Sequence, residues 1–375
     1  VIDMPESDGR PRVLFISQKR TSFINDDLVL LSERYDVRPF EFGGPASDEP
    51  TRQAGALARW FARQAAWLQK ELPRAALIYG WFADYHLTLP VWMGRRMQKP
   101  VAVALGGFDA NVVPDLDYGV YGSAWRAPLA RYVIRNASLL LPVSEKLIQH
   151  ENAFAAPPEV LKNGVAYHVP GLETPYVAIP TGYDAHAWPM GPAERPPVVT
   201  TVAYLGQERS ARVKGIDLFI DAARRLPEVT FQVVGVAPAF EPELRAHYQP
   251  PENVHLLPPR NRDALADVYA GTSVYAQLSR TEGLPNVLAE AMCCGCIPVG
   301  SAVSGIPDLI GDTGIVIDRP DPDVIADAIH RALTPGPDDR MRARMRIATQ
   351  FSVENRRRKL FEVLDRLIAG EESWA

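Results

Sequence analysis

The sequence predicts an α/β protein made of two consecutive doubly wound domains, and three observations carry that reading. Short apolar runs without polar alternation recur almost from end to end, the pattern of parallel strands covered on both faces. Longer stretches of helical period separate them. The rhythm pauses once, at residues 175–197, where six prolines and two glycines break any helical period, and then it restarts. A length of 375 residues suits two domains of ordinary size.

Taken in order, residues 13–17 read as a strand, 26–34 as a helix, 37–42 as a strand and 52–72 as a long amphipathic helix. Buried strands follow at 76–79, 101–105 and 139–143, with helices between them. After the pause come a strand at 198–205, a helix at 216–225 and a strand at 230–234. Residues 254–257, 274–277, 297–299 and 314–317 continue the series, each set off by a helical segment. The division is 1–180, a linker at 181–197, a second domain at 198–352, and a last helical stretch within 353–375 that is expected to cross back to the first domain. Ligands of such folds sit at the carboxyl ends of the strands, so the cleft between the two domains is the natural site.

Composition removes several classes of function. Hydrophobic residues are 47% and charged residues 23%, which excludes a disordered or rod-like chain. A net charge of −5 argues against a general nucleic-acid binder. Residues 1–190 hold 19 basic and 20 acidic side chains, so neither half is polybasic as a whole. No apolar run approaches the length needed to span a bilayer. The first ten residues are polar and acidic, unlike a signal peptide. Cys293, Cys294 and Cys296 are too close together for a disulfide framework, so a cytoplasmic setting is expected.

The common catalytic motifs are absent: no phosphate-binding P-loop, no G-x-G-x-x-G after the first strand, no zinc or serine-hydrolase signature. Two Asp-x-Asp triplets, at Asp115/Asp117 and Asp321/Asp323, fall in a loop and at a helix start, where aspartate is a common cap. No metal site is expected.

The informative stretch runs from Ser279 to Ala291. Gly283 permits close approach of a ligand, and Pro285 suits the first turn of a helix. A loop that leads into a helix N-terminus presents free backbone N–H groups to an anion such as a diphosphate. Glu282 precedes that helix and Glu290 lies in its second turn, both within reach of a ligand's hydroxyls. Upstream, Lys214 stands between a strand end and a helix start. Only 7 of the 40 basic residues are lysines, so its place at this junction is notable. An ammonium there neutralises charge building on a phosphate leaving group.

These two pieces, in this order, resemble the retaining glycosyltransferases of GT-B fold, family 4 (glycosyltransferase group 1). The run from Glu290 through Val299 is similar to the family's acid–Ala–Met–small–small–Gly segment. Ser304-Gly305-Ile306-Pro307-Asp308 is similar to its Gly-Gly-Ile-Pro-Glu loop, and Ile179 through Asp184 to its interdomain signature. The resemblance implies a metal-independent transfer of a sugar from a UDP- or GDP-linked donor to a hydroxyl acceptor with retention. It implies an acceptor domain at 1–180 and a nucleotide-sugar domain at 198–352. Lys214 would contact the pyrophosphate, and Glu282 the donor sugar, helped by Gly283, Leu284, Pro285 and Asn286. Glu290 would bind the ribose, and Pro259 would line the base pocket. The family pairs the lysine with an arginine where this chain has Gln207, so Arg209 or Arg212 would substitute. Asp109, after Gly106-Gly107, is the candidate beside the reacting sugar. Ser17 through Arg20 stand where the family has a glycine loop.

Acceptor recognition is assigned to Tyr118, Tyr121 and Trp125, whose rings can stack on a sugar or fill a core. Arg52, Arg59, Arg63 and Lys70 form a stripe beside Trp60 and Trp67, a pattern of peripheral contact with anionic lipid at the inner membrane face or of a solvated helix. Three rival functions share the scaffold: a nucleotide-sugar epimerase, a glycosyl phosphorylase, and a non-catalytic subunit that binds nucleotide sugar or a partner transferase.

Overall fold

The computed structural model describes residues 9–43 and 54–371. The first sheet is all parallel, in the order β2-β1-β3-β4-β5: β1 is Arg12–Ser17, β2 Asp36–Glu41, β3 Leu77–Trp81, β4 Val101–Leu105 and β5 Leu139–Pro142. Strands β3, β4 and β5 are buried at every position, which is why they read as unbroken apolar runs. Their connecting helices are α1 (Ser22–Ser32), α2 (Ala54–Glu71), α3 (Thr88–Arg96) and α4 (Arg126–Asn136). Helix α1 starts four residues before the expected 26–34, because Ile24 packs inward and Phe23 lies edge-on to Trp81 at 5.1 Å.

After β5 comes a feature the sequence did not signal, an antiparallel hairpin of β6 (His150–Ala156) and β7 (Glu159–Asn163). Its residues are weak strand formers with two prolines at the turn, so tertiary docking rather than propensity holds it. It reaches the other domain, where Asn152 Nδ2 donates to the Arg280 carbonyl at 2.9 Å.

The second sheet is also all parallel: β8 (Val198–Leu205), β9 (Thr230–Val236), β10 (Val254–Leu257), β11 (Val274–Gln277), β12 (Ile297–Ser301) and β13 (Ile315–Ile317). Their spatial order is β10-β9-β8-β11-β12-β13. The order reverses between β8 and β11, so loops leaving those two strands diverge and open a crevice.

Two crossings join the sheets side by side. Residues 175–179 run along β5, and Tyr183 then bridges to Ser352 as the chain returns. The final helix, Val353–Ile368, packs on the first domain beside α1. Arg356 makes a two-pronged ion pair with Asp27 at 2.6 and 2.7 Å, with both side chains buried. Tyr79 and Trp81 also donate to Asp27, and Arg356 donates to the carbonyls of Ile179 and Pro180. All three guanidinium nitrogens and both carboxylate oxygens are thus engaged, the condition under which a buried ion pair is tolerated.

Candidate active site

The reversal point between β8 and β11 brings Lys214 and Glu282 together. Lys214 ends the short helix Glu208–Val213 that follows β8, and Gly215 comes next with φ +69°. A side chain at Gly215 would meet the Leu278 carbonyl at 2.0 Å, so glycine lets this turn press against the end of β11. Lys214 Nζ then lies 2.6 Å from Glu282 Oε1. The same oxygen accepts from Ser279 Oγ at 2.8 Å and Gln277 Nε2 at 3.1 Å. Glu282 is 8% exposed and fully partnered on that side. Gln277 and Ser279 are readable in hindsight, as polar residues closing an otherwise apolar buried strand.

The loop carrying Glu282 abuts the first domain. A side chain on Gly283 would meet the Gly106 carbonyl at 2.0 Å, and one on Gly107, whose φ is +118°, would meet the Gly283 nitrogen at 2.8 Å. Asn111 completes this seam. Its Nδ2 lies 2.9 Å from the Glu282 carbonyl, 3.1 Å from Ser304 Oγ and 3.2 Å from Thr281 Oγ1. Nothing in the sequence around Asn111 announced that contact.

The helix after this loop, Asn286–Cys293, has Pro285 at its N-cap rather than in its first turn, and no side chain caps it. Leu284 is buried, and Asn286 Oδ1 accepts from Tyr183 Oη at 2.8 Å. One turn on, Glu290 faces an interdomain cavity of about 490 Å³, also lined by Asn286, Tyr183, Trp188, Arg262 and Asp26. Burial pushes the Glu290 carboxyl up to about 7, against the opposing pull of Tyr269 Oη at 3.4 Å and of Arg262. Arg262 stacks over Trp188 at 5.0 Å. Sequence reasoning placed the base pocket at Pro259, which is exposed and does not line this cavity; Arg262, three residues on, does.

The remaining expected residues divide. Gln207 occupies the family's arginine position and forms a reciprocal cap with Ser210. Arg209 turns to the first domain, 3.6 Å from the Asp117 carboxylate, whereas exposed Arg212 makes no ion pair among the described residues. Asp109 is fully buried and its carboxylate accepts from the N–H groups of Ala83, Gly106 and Gly107 at 2.9–3.1 Å. Desolvation lifts it to about 6 despite these donors. It shapes the glycine loop rather than facing the cavity.

Tyr118 sits beside Thr281 and Glu282, and burial raises its hydroxyl well above the ordinary range. Tyr121 stacks face to face on His168 at 4.6 Å, and Trp125 packs on Tyr85 at 5.1 Å. Both belong to first-domain packing, yet Tyr121 Oη and Trp125 Nε1 are buried without a protein partner. Asp321 caps its helix, as expected. Cys293, Cys294 and Cys296 are free and buried, and burial pushes each up to about 12. Among the described residues no group of three His, Cys, Asp or Glu side chains converges.

Residues 199–335 match the family model "Glycosyl transferases group 1". A D-inositol 3-phosphate glycosyltransferase of Mycobacterium sp. (strain KMS) is 33% identical over 165 residues, 42% of this chain and 37% of that protein. The gpi3 subunit of the Schizosaccharomyces pombe phosphatidylinositol N-acetylglucosaminyltransferase is 30% identical over 127 residues, 32% of this chain and 28% of the relative. The matched stretch thus spans well under half of these curated relatives. Solved structures align over almost the whole chain. Sucrose-phosphate synthase from Thermosynechococcus elongatus gives a TM-score of 0.71 at 17% identity, over 96% of this chain and 100% of the other. HepE of Anabaena, solved with UDP and glucose, gives 0.67 at 17%, over 95% and 100%. The fold is GT-B, and the match to the glycosyltransferase group 1 model lies within residues 199–335.

Proposed function

We propose that this protein moves a sugar from a nucleoside diphosphate donor to a hydroxyl acceptor with retention at the anomeric carbon, as a metal-independent family 4 enzyme. The observation that carries the reading is the Lys214–Glu282 pair, set at the head of a helix whose next acid, Glu290, faces an interdomain cavity. The nucleoside occupies that cavity with its ribose hydroxyls on Glu290. The diphosphate lies across the uncapped N-terminus of helix Asn286–Cys293, where backbone N–H groups and Lys214 stabilise negative charge. Of the two arginines, Arg209, whose charge reaches Tyr118 beside Glu282, is the nearer to add to that clamp, whereas that of Arg212 reaches Tyr248. The donor sugar then lies at Glu282, Gly283 and Leu284.

Chemistry of this kind needs the departing diphosphate stabilised more than it needs a strong base. Lys214 Nζ is held by Glu282 Oε1. A bound diphosphate competes for the ammonium and leaves Glu282, still held by Gln277 and Ser279, to accept from the sugar's hydroxyls. Tyr118, beside Glu282, is the nearest acceptor-side aromatic, and Tyr121 and Trp125 offer unpartnered polar atoms behind it. Asp109 acts as a positioning residue for the loop between them. The HepE complexes with UDP and UDP-glucose and the GT-B likeness support this reading.

The test is a thermal-shift panel of UDP, GDP, ADP and their sugars, with and without EDTA, followed by NMR of the product's anomeric centre. One nucleotide class should stabilise the protein, unaffected by EDTA and lost in Glu290→Ala. Saturation at about 100 Kd adds roughly 2.7 kcal/mol. No shift with any nucleotide, a strict metal requirement or an inverted product would overturn the proposal.

A further inference from the structure

The first domain has a cationic face that the site above does not use. Right-handed crossovers in a sheet ordered β2-β1-β3-β4-β5 put α2, α3 and α4 on one face and α1 on the other. The final helix packs with α1, so among the described residues the face of α2, α3 and α4 is left uncovered. Arg59, Arg63, Lys70 and the following Arg74 are exposed along α2, and Arg95, Arg96 and Arg135 on α3 and α4. The three helices contain a single carboxylate, Glu71, which is held by Arg12 at 3.0 Å with Lys70 at 3.9 Å. Arg52, the fourth member of the stripe read from sequence, lies outside the described residues.

Helix dipoles do not account for this. Cations in a last turn are ordinary, but they are normally matched by acids in the first turn. Three second-domain helices that end on cations follow that rule: Ile216–Arg225 opens on Asp217, Glu241–Tyr248 on Glu241 and Glu243, and Pro322–Ala332 on Asp323. None of α2, α3 or α4 has an acid in its first turn. In a chain of net charge −5, that one-sidedness is local.

The same face holds exposed apolar side chains. Trp92 is 44% and Met97 39% exposed, at the end of α3 beside Arg95 and Arg96. The Arg96 guanidinium lies over the Trp92 ring at 4.7 Å, and that of Arg63 over Trp60 at 4.9 Å. Indole rings amid arginines that make no ion pair among the described residues suit the headgroup region of an anionic bilayer, where the ring enters the interface and the cations meet lipid phosphate. A nucleic acid would use the charges but leaves Met97 and Trp92 without an apolar environment.

We infer that the α2–α4 face docks this protein on an anionic lipid bilayer, with Trp92 and Met97 as the apolar anchor and the surrounding arginines and Lys70 as the electrostatic contact. Lys70, Arg74, Arg95, Arg96 and Arg135 all lie near the starts of β3, β4 and β5. The interdomain cleft lies at the opposite ends of those strands, so docking leaves it open. The inference stands independently of the transferase reading.

Flotation of the full chain with vesicles of phosphatidylcholine alone, or of phosphatidylcholine with about a third phosphatidylglycerol, tests it. The protein should float with the anionic vesicles only, and recovery should fall when salt rises from about 0.1 M to about 1 M. Arg95→Glu/Arg96→Glu should lower the partition by about tenfold or more. Trp92→Ala should weaken it in both salts. The charge-matched control Arg319→Glu/Arg331→Glu, in the second domain, should float like wild type. Circular dichroism melting of each variant separates lost docking from lost fold. Equal recovery on neutral vesicles, no recovery on either, equal loss in the control, or binding to duplex DNA but not to vesicles would overturn the inference.

Discussion

Glu282 and Glu290 stand eight residues apart on one loop and helix, and their surroundings are opposite. Glu282 is the more buried, yet a lysine, a glutamine and a serine converge on one of its oxygens. Glu290 is less enclosed by protein contacts but has only a long bond from Tyr269 and faces a cavity, and its carboxyl is pushed up to about 7. The difference teaches that two enclosed acids on one loop and helix can be given opposite surroundings by the donors aimed at them. One position sets a carboxylate against a cation and two neutral donors, the other opens on a cavity that a ligand's own hydroxyls can enter.

The largest effect should come from breaking the first environment. Lys214→Ala removes the cation and Glu282→Gln the anion, and each is expected to lower kcat by about 10²–10³. Because the two groups act on one centre, the double variant should lose much less than the product of the two losses. Steady-state rates of the four proteins give the coupling. Independent, multiplicative losses would mean that the 2.6 Å pair is incidental to turnover.

Much of this was legible because chemistry near a chain reversal leaves local marks. Glycine and proline punctuate the loop at Gly283 and Pro285, and the acid spacing survives without any knowledge of the fold. The strands read well for the same reason, since a doubly covered strand such as β4 has no polar face to blur it. What failed to show was whatever depends on distant partners. Asn111 contacts residues about 170 positions away, and the hairpin of β6 and β7 is held by docking its strands do not encode. Arg262, which lines the cavity beside Glu290, carries no local signal in the sequence. The three backbone donors that hold Asp109 depend on how the Ala83 loop comes to lie beside the glycine loop, which no local pattern encodes.

The second environment makes a pH-dependent prediction of intermediate size. Between about 4.5, the ordinary value for a glutamate, and about 7, the folded chain keeps a proton that the unfolded chain has released. Stability from this group is therefore present at low pH and lost as pH rises through that window. Glu290→Gln removes the penalty. It should melt close to wild type near pH 4 and be more stable near pH 8, by on the order of 1–2 kcal/mol. Donor affinity should respond the other way. The wild-type carboxylate accepts from two ribose hydroxyls only when ionised, so its donor KM should rise as pH falls below 7, while the glutamine variant stays flat and weaker. Melting curves and donor titrations across that range check both signs. A pH-independent difference between the proteins would place Glu290 outside any titrating role.

The smallest effect concerns what holds the two environments in register. Asn111 is the first-domain side chain that reaches the backbone of Glu282, and its amide spans Thr281, Glu282 and Ser304 at once. Loss of such a contact costs about 1 kcal/mol, roughly a fivefold shift between closed and open arrangements. Asn111→Ala should therefore leave Glu290's titration untouched and lower kcat/KM about fivefold. It should also raise the radius of gyration of the empty protein in small-angle scattering, since Gly107 and Gly283 would no longer be held in contact. Asn111→Asp, which keeps the shape but turns the donor into an acceptor facing the Glu282 carbonyl, should be worse than alanine. If alanine and aspartate behave alike, the seam is held by the packing of Gly106, Gly107 and Gly283, and the amide only fills the space beside it.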